Sequence, residues 1–139
     1  MSGFDDARSA IETQLYNNIT VVSTNNIEFM NSRFEMPTNE TWIRISIIEG
    51  DARQASLGNY TILKRYTGSI MVDIFIPQYN GTKEGREIAD EIATIFDRKQ
   101  LSYGSSGTIS TRITSARDVG NNEGWYQISC TTNYQRDVN

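Results

Sequence analysis

Carboxylates are the only groups common enough in this sequence to move protons or hold a metal. The 139 residues include no histidine, and Cys130 is the one cysteine. That removes Cys/His zinc sites, Cys-His nucleophiles, the Ser-His-Asp triad and any disulfide framework. A general base near neutral pH would have to be a carboxylate or lysine with a strongly displaced pKa. The acidic pairs are Asp5-Asp6, Glu84/Glu87 and Asp90-Glu91, all on helical stretches, where the plain reading is a solvated face. A Mg²⁺ or Ca²⁺ site needs several converging oxygens, and a glycosidase needs two carboxylates across a cleft; no spacing marks either. Gly81-x-x-x-Gly85 follows a strand and opens a helix, where a phosphate-binding loop would sit. It lacks the third glycine of the dinucleotide fingerprint and the Gly-Lys-Ser/Thr end of a P-loop, so a strand-to-helix turn is the better account. Cys130 shares a strand face with Ile128 and Tyr134 and reads as a buried structural thiol. No catalytic, cofactor-binding or metal-ligating residue is assigned.

Charge narrows the partners. Thirteen basic residues face seventeen acidic ones, for a net charge of −4, so no cationic surplus exists to displace counterions from nucleic acid. Arginines outnumber lysines ten to three, a bias that suits protein interfaces. With 37% apolar and 22% charged residues the composition is globular, and the length fits one domain, residues 1–139. No apolar run approaches the roughly 18 residues of a membrane span. Met1-Ser2-Gly3-Phe4-Asp5-Asp6 has neither the basic start nor the apolar stretch of a secretory signal. The N-x-T sequons at Asn18, Asn39, Asn59 and Asn80 then follow from Asn/Thr richness alone.

The elements follow from periodicity. Phe4, Ala7, Ile11 and Leu15 make one stripe of a helix over 2–18. Residues 19–40 are polar and Asn-rich, a loop with one short edge strand. Thr41 to Glu49 alternates, with Ile43, Ile45 and Ile47 on one face and Trp42, Arg44 and Ser46 on the other. Ile62 to Ile76 is apolar on both faces, with Met71, Asp73 and Phe75 opposite Ile70, Val72, Ile74 and Ile76. A strand of that kind is covered on both sides, by its own chain or by a neighbouring subunit. A second helix spans 83–99 on Ile88, Ile92, Ile95 and Phe96, with Thr82 as N-cap and Arg98-Lys99 at its end. Leu101 to Gly107 is a turn. Strands 108–117 and 125–134 form a hairpin through Gly120–Gly124. Trp125 reads as core packing, for which truncation to alanine costs about 3–5 kcal/mol. The fold class is α+β, one mixed, mainly antiparallel sheet with two helices packed on one face.

The segment Gly50 to Asn59 breaks the strand pattern and is too long for a tight hairpin. It reads either as a mobile loop or as an arm that orders against a partner subunit. Its candidate contacts are Asp51, Arg53, Gln54, Leu57 and Asn59, joined by Met71, Asp73 and Phe75 on the two-faced strand. If the arm mediates assembly, Leu57→Asp blocks it while leaving the fold intact.

Taken in order, these motifs resemble the phage tail terminator family, small proteins that cap the tube of long, non-contractile tails. The resemblance rests on the N-terminal helix, the Ile-rich strand ending in Glu49, and the polar arm. It continues through Arg65-Tyr66-Thr67-Gly68, Val72-Asp73-Ile74-Phe75-Ile76-Pro77, Gly81, the helix Ala89-Asp90-Glu91-Ile92 with Phe96, and Gly124-Trp125-Tyr126. The Asn-rich 17–40 segment departs from the family's pattern. The resemblance implies a structural virion protein without catalysis, metal or cofactor, made in the bacterial host cytoplasm. It implies a homohexameric ring at the head–tail junction that binds the last ring of tube subunits, ends polymerisation and meets a head-completion protein. DNA would pass through the lumen without specific binding, and no membrane is involved. The other readings are a head-completion or connector protein of the neck, and a small carboxylate-based enzyme.

Overall fold

Hydrophobic period sets the elements in the computed structural model, which describes residues 3–54, 64–102 and 107–138. In α1 (Gly3–Asn18), Ala7, Ile11 and Leu15 recur on one side and are buried. In α2 (Lys83–Phe96), Ile88, Ala89, Ile92, Ile95 and Phe96 do the same. The strands are β1 (Ile27–Glu28), β2 (Trp42–Gln54), β3 (Lys64–Pro77), β4 (Gln100–Ser102), β5 (Thr108–Asn122) and β6 (Trp125–Val138). They form one sheet in the order β1-β2-β3-β6-β5-β4. β1 runs parallel to β2, and the other neighbouring pairs are antiparallel. Both helices pack on one face, over Ile43, Ile45, Ile70, Val72, Ile74, Ile76, Ile128 and Cys130. The α+β class and the one-sided helices are as the alternation predicts.

Two local contacts hold the helices to this face. A Cβ on Gly85 would lie 2.6 Å from Cδ1 of Ile128 and 3.3 Å from Cδ1 of Ile76. Glycine therefore lets the first turn of α2 settle against the sheet, which accounts for the second glycine of Gly81-x-x-x-Gly85 without any phosphate. Glu91 of α2 ties down the chain leaving α1. It accepts from the Thr20 hydroxyl at 2.5 Å and from the backbone N–H groups of Thr20 and Val21 at 2.7 and 3.2 Å. Partial burial pushes this carboxyl up, but the three hydrogen bonds outweigh it and hold the pKa below its usual value. A depressed folded pKa stabilises above the unfolded value, and the effect is lost as pH falls through the folded one. Glu91→Gln is thus expected to flatten the fall of melting temperature on acidification through the carboxylate range. Parallel acid curves for the two proteins would show that the tether carries no charge-dependent stability.

Several element ends differ from expectation because partners, not propensity, decide them. β2 does not stop at Glu49: Ala52, Arg53 and Gln54 pair with Tyr66, Arg65 and Lys64, and a bulge after Glu49 absorbs the extra length. The stretch expected as loop from Gly50 is therefore strand as far as Gln54. β5 and β6 likewise run on to Asn122 and Val138, leaving only Glu123-Gly124 as the turn. Both turn residues have positive φ, 48° and 90°, the geometry of a tight hairpin. Gln100–Ser102, expected partly as turn, is a short strand on the edge of β5. A second bulge, between Thr111 and Thr114, turns Ile113 out of the alternation, and it is 69% exposed. Thr82 precedes α2 but makes no side-chain cap bond. Helix α2 ends at Phe96, and Arg98 takes a positive φ of 50° instead of completing a last turn.

Candidate assembly surfaces

The sheet face away from the helices is aromatic and polar. At one end Trp42 stacks on Phe75 at 4.2 Å, Phe34 tilts over it at 5.3 Å, and Trp125 meets it edge-on at 6.0 Å. Phe34 comes from the segment read as a plain polar loop. Beside them Asp73 accepts from Arg44 at 3.1 Å and from the Ser129 hydroxyl at 2.5 Å. Asp73 and Phe75 are therefore covered from within the chain, with 6% and 4% exposure, and neither is free to meet a subunit as the sequence suggested. Trp125, expected as core, is only partly buried; Trp42 is the deeply placed indole. Further along, Met71 is partly exposed, and paired polar groups take over: Ser69 with Asn133, and Arg65 with Asp137 in a two-bond pair at 2.9 and 3.1 Å. The Asp137 hydrogen bond and charge push the Arg65 pKa up, so the pair stays ionised.

The opposite end of the sheet carries the base of the arm. Asp51, Arg53 and Gln54 are exposed on β2: Arg53 and Gln54 pair with Arg65 and Lys64 of β3, while Asp51 sits in the bulge, its carbonyl accepting from the Thr67 hydroxyl at 3.2 Å. Leu57 and Asn59 lie outside the described residues. This end is anchored in two places. Gly68 lies opposite Tyr134, whose ring packs across it, and the Tyr134 hydroxyl donates to Glu49 at 3.2 Å. Burial, with the charge and hydrogen bond of Glu49, pushes that phenol up and keeps it a neutral donor. The guanidinium of Arg136, a residue 2% exposed, lies over the rings of Tyr66 at 4.3 Å and Phe4 at 5.0 Å, which meet each other edge-on at 5.4 Å. Phe4, expected within the buried stripe, instead overhangs the sheet here at 54% exposure. Arg136 carries a sequence signal, since it continues the Tyr134 alternation by one more step. Arg117 on β5 carries none, and only the topology marks it, by placing it on an open edge.

Little on this surface is arranged for bond chemistry. The groove between α2 and β5, of about 300 Å³, gathers Arg86, Asp90, Arg117 and Asp118. Asp118 is already engaged by Arg86 at 2.5 Å, and burial with the Asp118 charge pushes the Tyr126 phenol up. A wider groove of about 550 Å³ between α1 and β4 has Asp6 as its single carboxylate. No cluster of three acidic or thiol ligands occurs among the described residues. Cys130 is 1% exposed; burial, then the charge of Asp73, pushes its thiol up to about 12. It is expected to resist a thiol reagent at pH 8 until the protein unfolds, read by mass shift with and without denaturant. Modification of the folded protein at the rate of a free thiol would contradict that placement.

A mixed sheet with helices on one side and shallow polar surfaces on the other defines an α+β protein that offers faces and edges to other molecules. Its sequence matches the family model of phage tail terminator proteins over residues 6–134, and the chain belongs to that family. It is accordingly a structural component of a phage tail. No curated protein sequence matches it. Fourteen chains of solved structures do. One aligns with a TM-score of 0.74 over 98% of this chain and 96% of its own, at 16% identity, a likeness that shows the fold alone.

Proposed function

We propose that this chain caps the tail tube as a hexameric ring at the head–tail junction, ending tube polymerisation and presenting a surface to a head-completion protein. The observation that carries the reading is the family match across residues 6–134. Physical features support it. The net charge of −4 suits a lumen through which DNA slides, because like charge keeps phosphates off the wall. The exposed edge at Asp51, Arg53 and Gln54, and Met71 on the open face, are surfaces for a neighbouring subunit or the tube. The task needs no cofactor or catalytic group.

Native mass spectrometry over rising concentration, with and without Mg²⁺ and tail tubes, tests the reading. A species of about 94 kDa, six times the 15.7 kDa chain, is the expected result. A protein that stays monomeric even in the presence of tail tubes would overturn it.

A further inference from the structure

The sheet has two edges, and each is covered over only part of its length. On the β2 edge, β1 pairs with Ile43 and Arg44, and Met30 Sδ takes the Ile47 N–H at 3.3 Å. From Ile48 to Gln54 no strand lies beyond β2 among the described residues, and all seven positions are exposed. On the β5 edge, β4 covers Thr108 to Ser110. The chain leaving α2 covers the next stretch: the Arg98 N–H reaches the Arg112 carbonyl at 3.0 Å, and Asp97 takes the Thr114 N–H at 2.6 Å. From Ser115 to Asn122 that edge too is open among the described residues. Neither open stretch contains a proline or lysine; each carries instead a bulge, between Glu49 and Ala52 and between Asp118 and Gly120, so a partner strand must follow the local bend.

We infer that the open stretch of β2, residues 48–54, pairs with the open stretch of β5, residues 115–122, of a second copy of this chain, so that the sheet continues from subunit to subunit. This deepens the ring reading above and rests on it. Three features favour the second copy as occupant. Successive antiparallel pairings make β2 antiparallel to β5, so a rotated copy presents its β2 to β5 in the polarity of the existing ladder. The open stretches lie at opposite ends of the sheet, as the Ile48–Ser69–Asn133 and Ala116–Cys130–Val72–Ile45 levels show. Two copies therefore overlap like a lap joint, offset along the strands, which is the stagger that closed sheets require. Asp51 on one stretch and Arg117 on the other have no ion pair among the described residues and carry opposite charge. Because the two surfaces differ, the contact is heterologous and propagates from copy to copy, as a ring requires, whereas β5-to-β5 or β2-to-β2 pairing would stop at a dimer.

The test uses the full chain carrying Asp51→Cys and Arg117→Cys together, oxidised at concentrations where the wild type assembles, with and without tail tubes. Antiparallel partners lie about 4.5–5.5 Å apart at Cα, within reach of a disulfide. Buried Cys130 does not compete. The expected result is a ladder of covalent oligomers in the double variant and none in either single variant. In reducing buffer, Asp51→Arg and Arg117→Asp should each lower the assembled fraction about tenfold, and their combination should restore it. A covalent dimer from Arg117→Cys alone would show like edges pairing and overturn the inference. Wild-type rings whose variants neither cross-link nor respond to charge would also overturn it while leaving the ring intact. A wild type that never assembles would remove both.

Discussion

Trp42→Ala is expected to lower the unfolding free energy by about 3–5 kcal/mol, the range for emptying a large aromatic from a packed site. The indole is 4% exposed, and its faces and edge are taken up by Phe75, Phe34 and Trp125. Its N–H has no partner, so truncation strands no acceptor and the loss is one of packing. Phe75 would be uncovered, and Phe34 would lose the ring contact that seats its segment on the sheet. Denaturant titration reads the loss as a lower midpoint with an unchanged slope. Trp125→Ala serves as the control and should cost clearly less, because Trp125 is only partly buried. Equal costs for the two, or an unchanged midpoint for Trp42→Ala, would place the packing centre elsewhere.

Gly68→Ala is expected to cost about 2–3 kcal/mol by overpacking. The new Cβ would lie 2.6 Å from the Ile48 carbonyl oxygen and 2.6 Å from both Cζ and Oη of Tyr134. The carbonyl belongs to the paired β2 backbone and cannot swing aside. Tyr134 is 2% exposed and can yield only by giving up its hydrogen bond to Glu49. Both routes loosen the base of the arm, so assembly should weaken together with stability. A variant with wild-type melting temperature and wild-type assembly would show that β3 tolerates a side chain here, and that the Gly68–Tyr134 contact is not what shapes this end.

The central elements were legible because burial and periodicity agree there. Ile88, Ile92, Ile95 and Phe96 can form only one buried stripe, and Ile70 to Ile76 alternates against the Ile128 to Tyr134 series. The ends were not legible, since Gly50–Gln54, Gln100–Ser102 and Gln135–Val138 are mostly polar and become strand through the strands beside them. Bulges are equally silent in sequence: simple alternation puts Ile113 on the Ile109 face, and the bulge between Thr111 and Thr114 turns it out. Candidate contacts fared by the same logic. Asp51, Arg53 and Gln54 are exposed, as their polarity suggested. Phe75 and Asp73 share a strand face that either the chain itself or a neighbouring subunit could cover, and nothing in sequence says that Trp42 stacks on Phe75 or that Arg44 and Ser129 engage Asp73. Arg117 could be singled out only after the topology showed that β4 covers no more than Thr108 to Ser110 of β5.

Tube length is the most direct readout of the central claim. Tail-tube subunits polymerised with increasing amounts of this protein, imaged by electron microscopy, should give shorter tubes as its ratio rises, with a ring on one end of each. Tubes of unchanged length with bare ends, at protein concentrations well above that of the tube ends, would contradict the account.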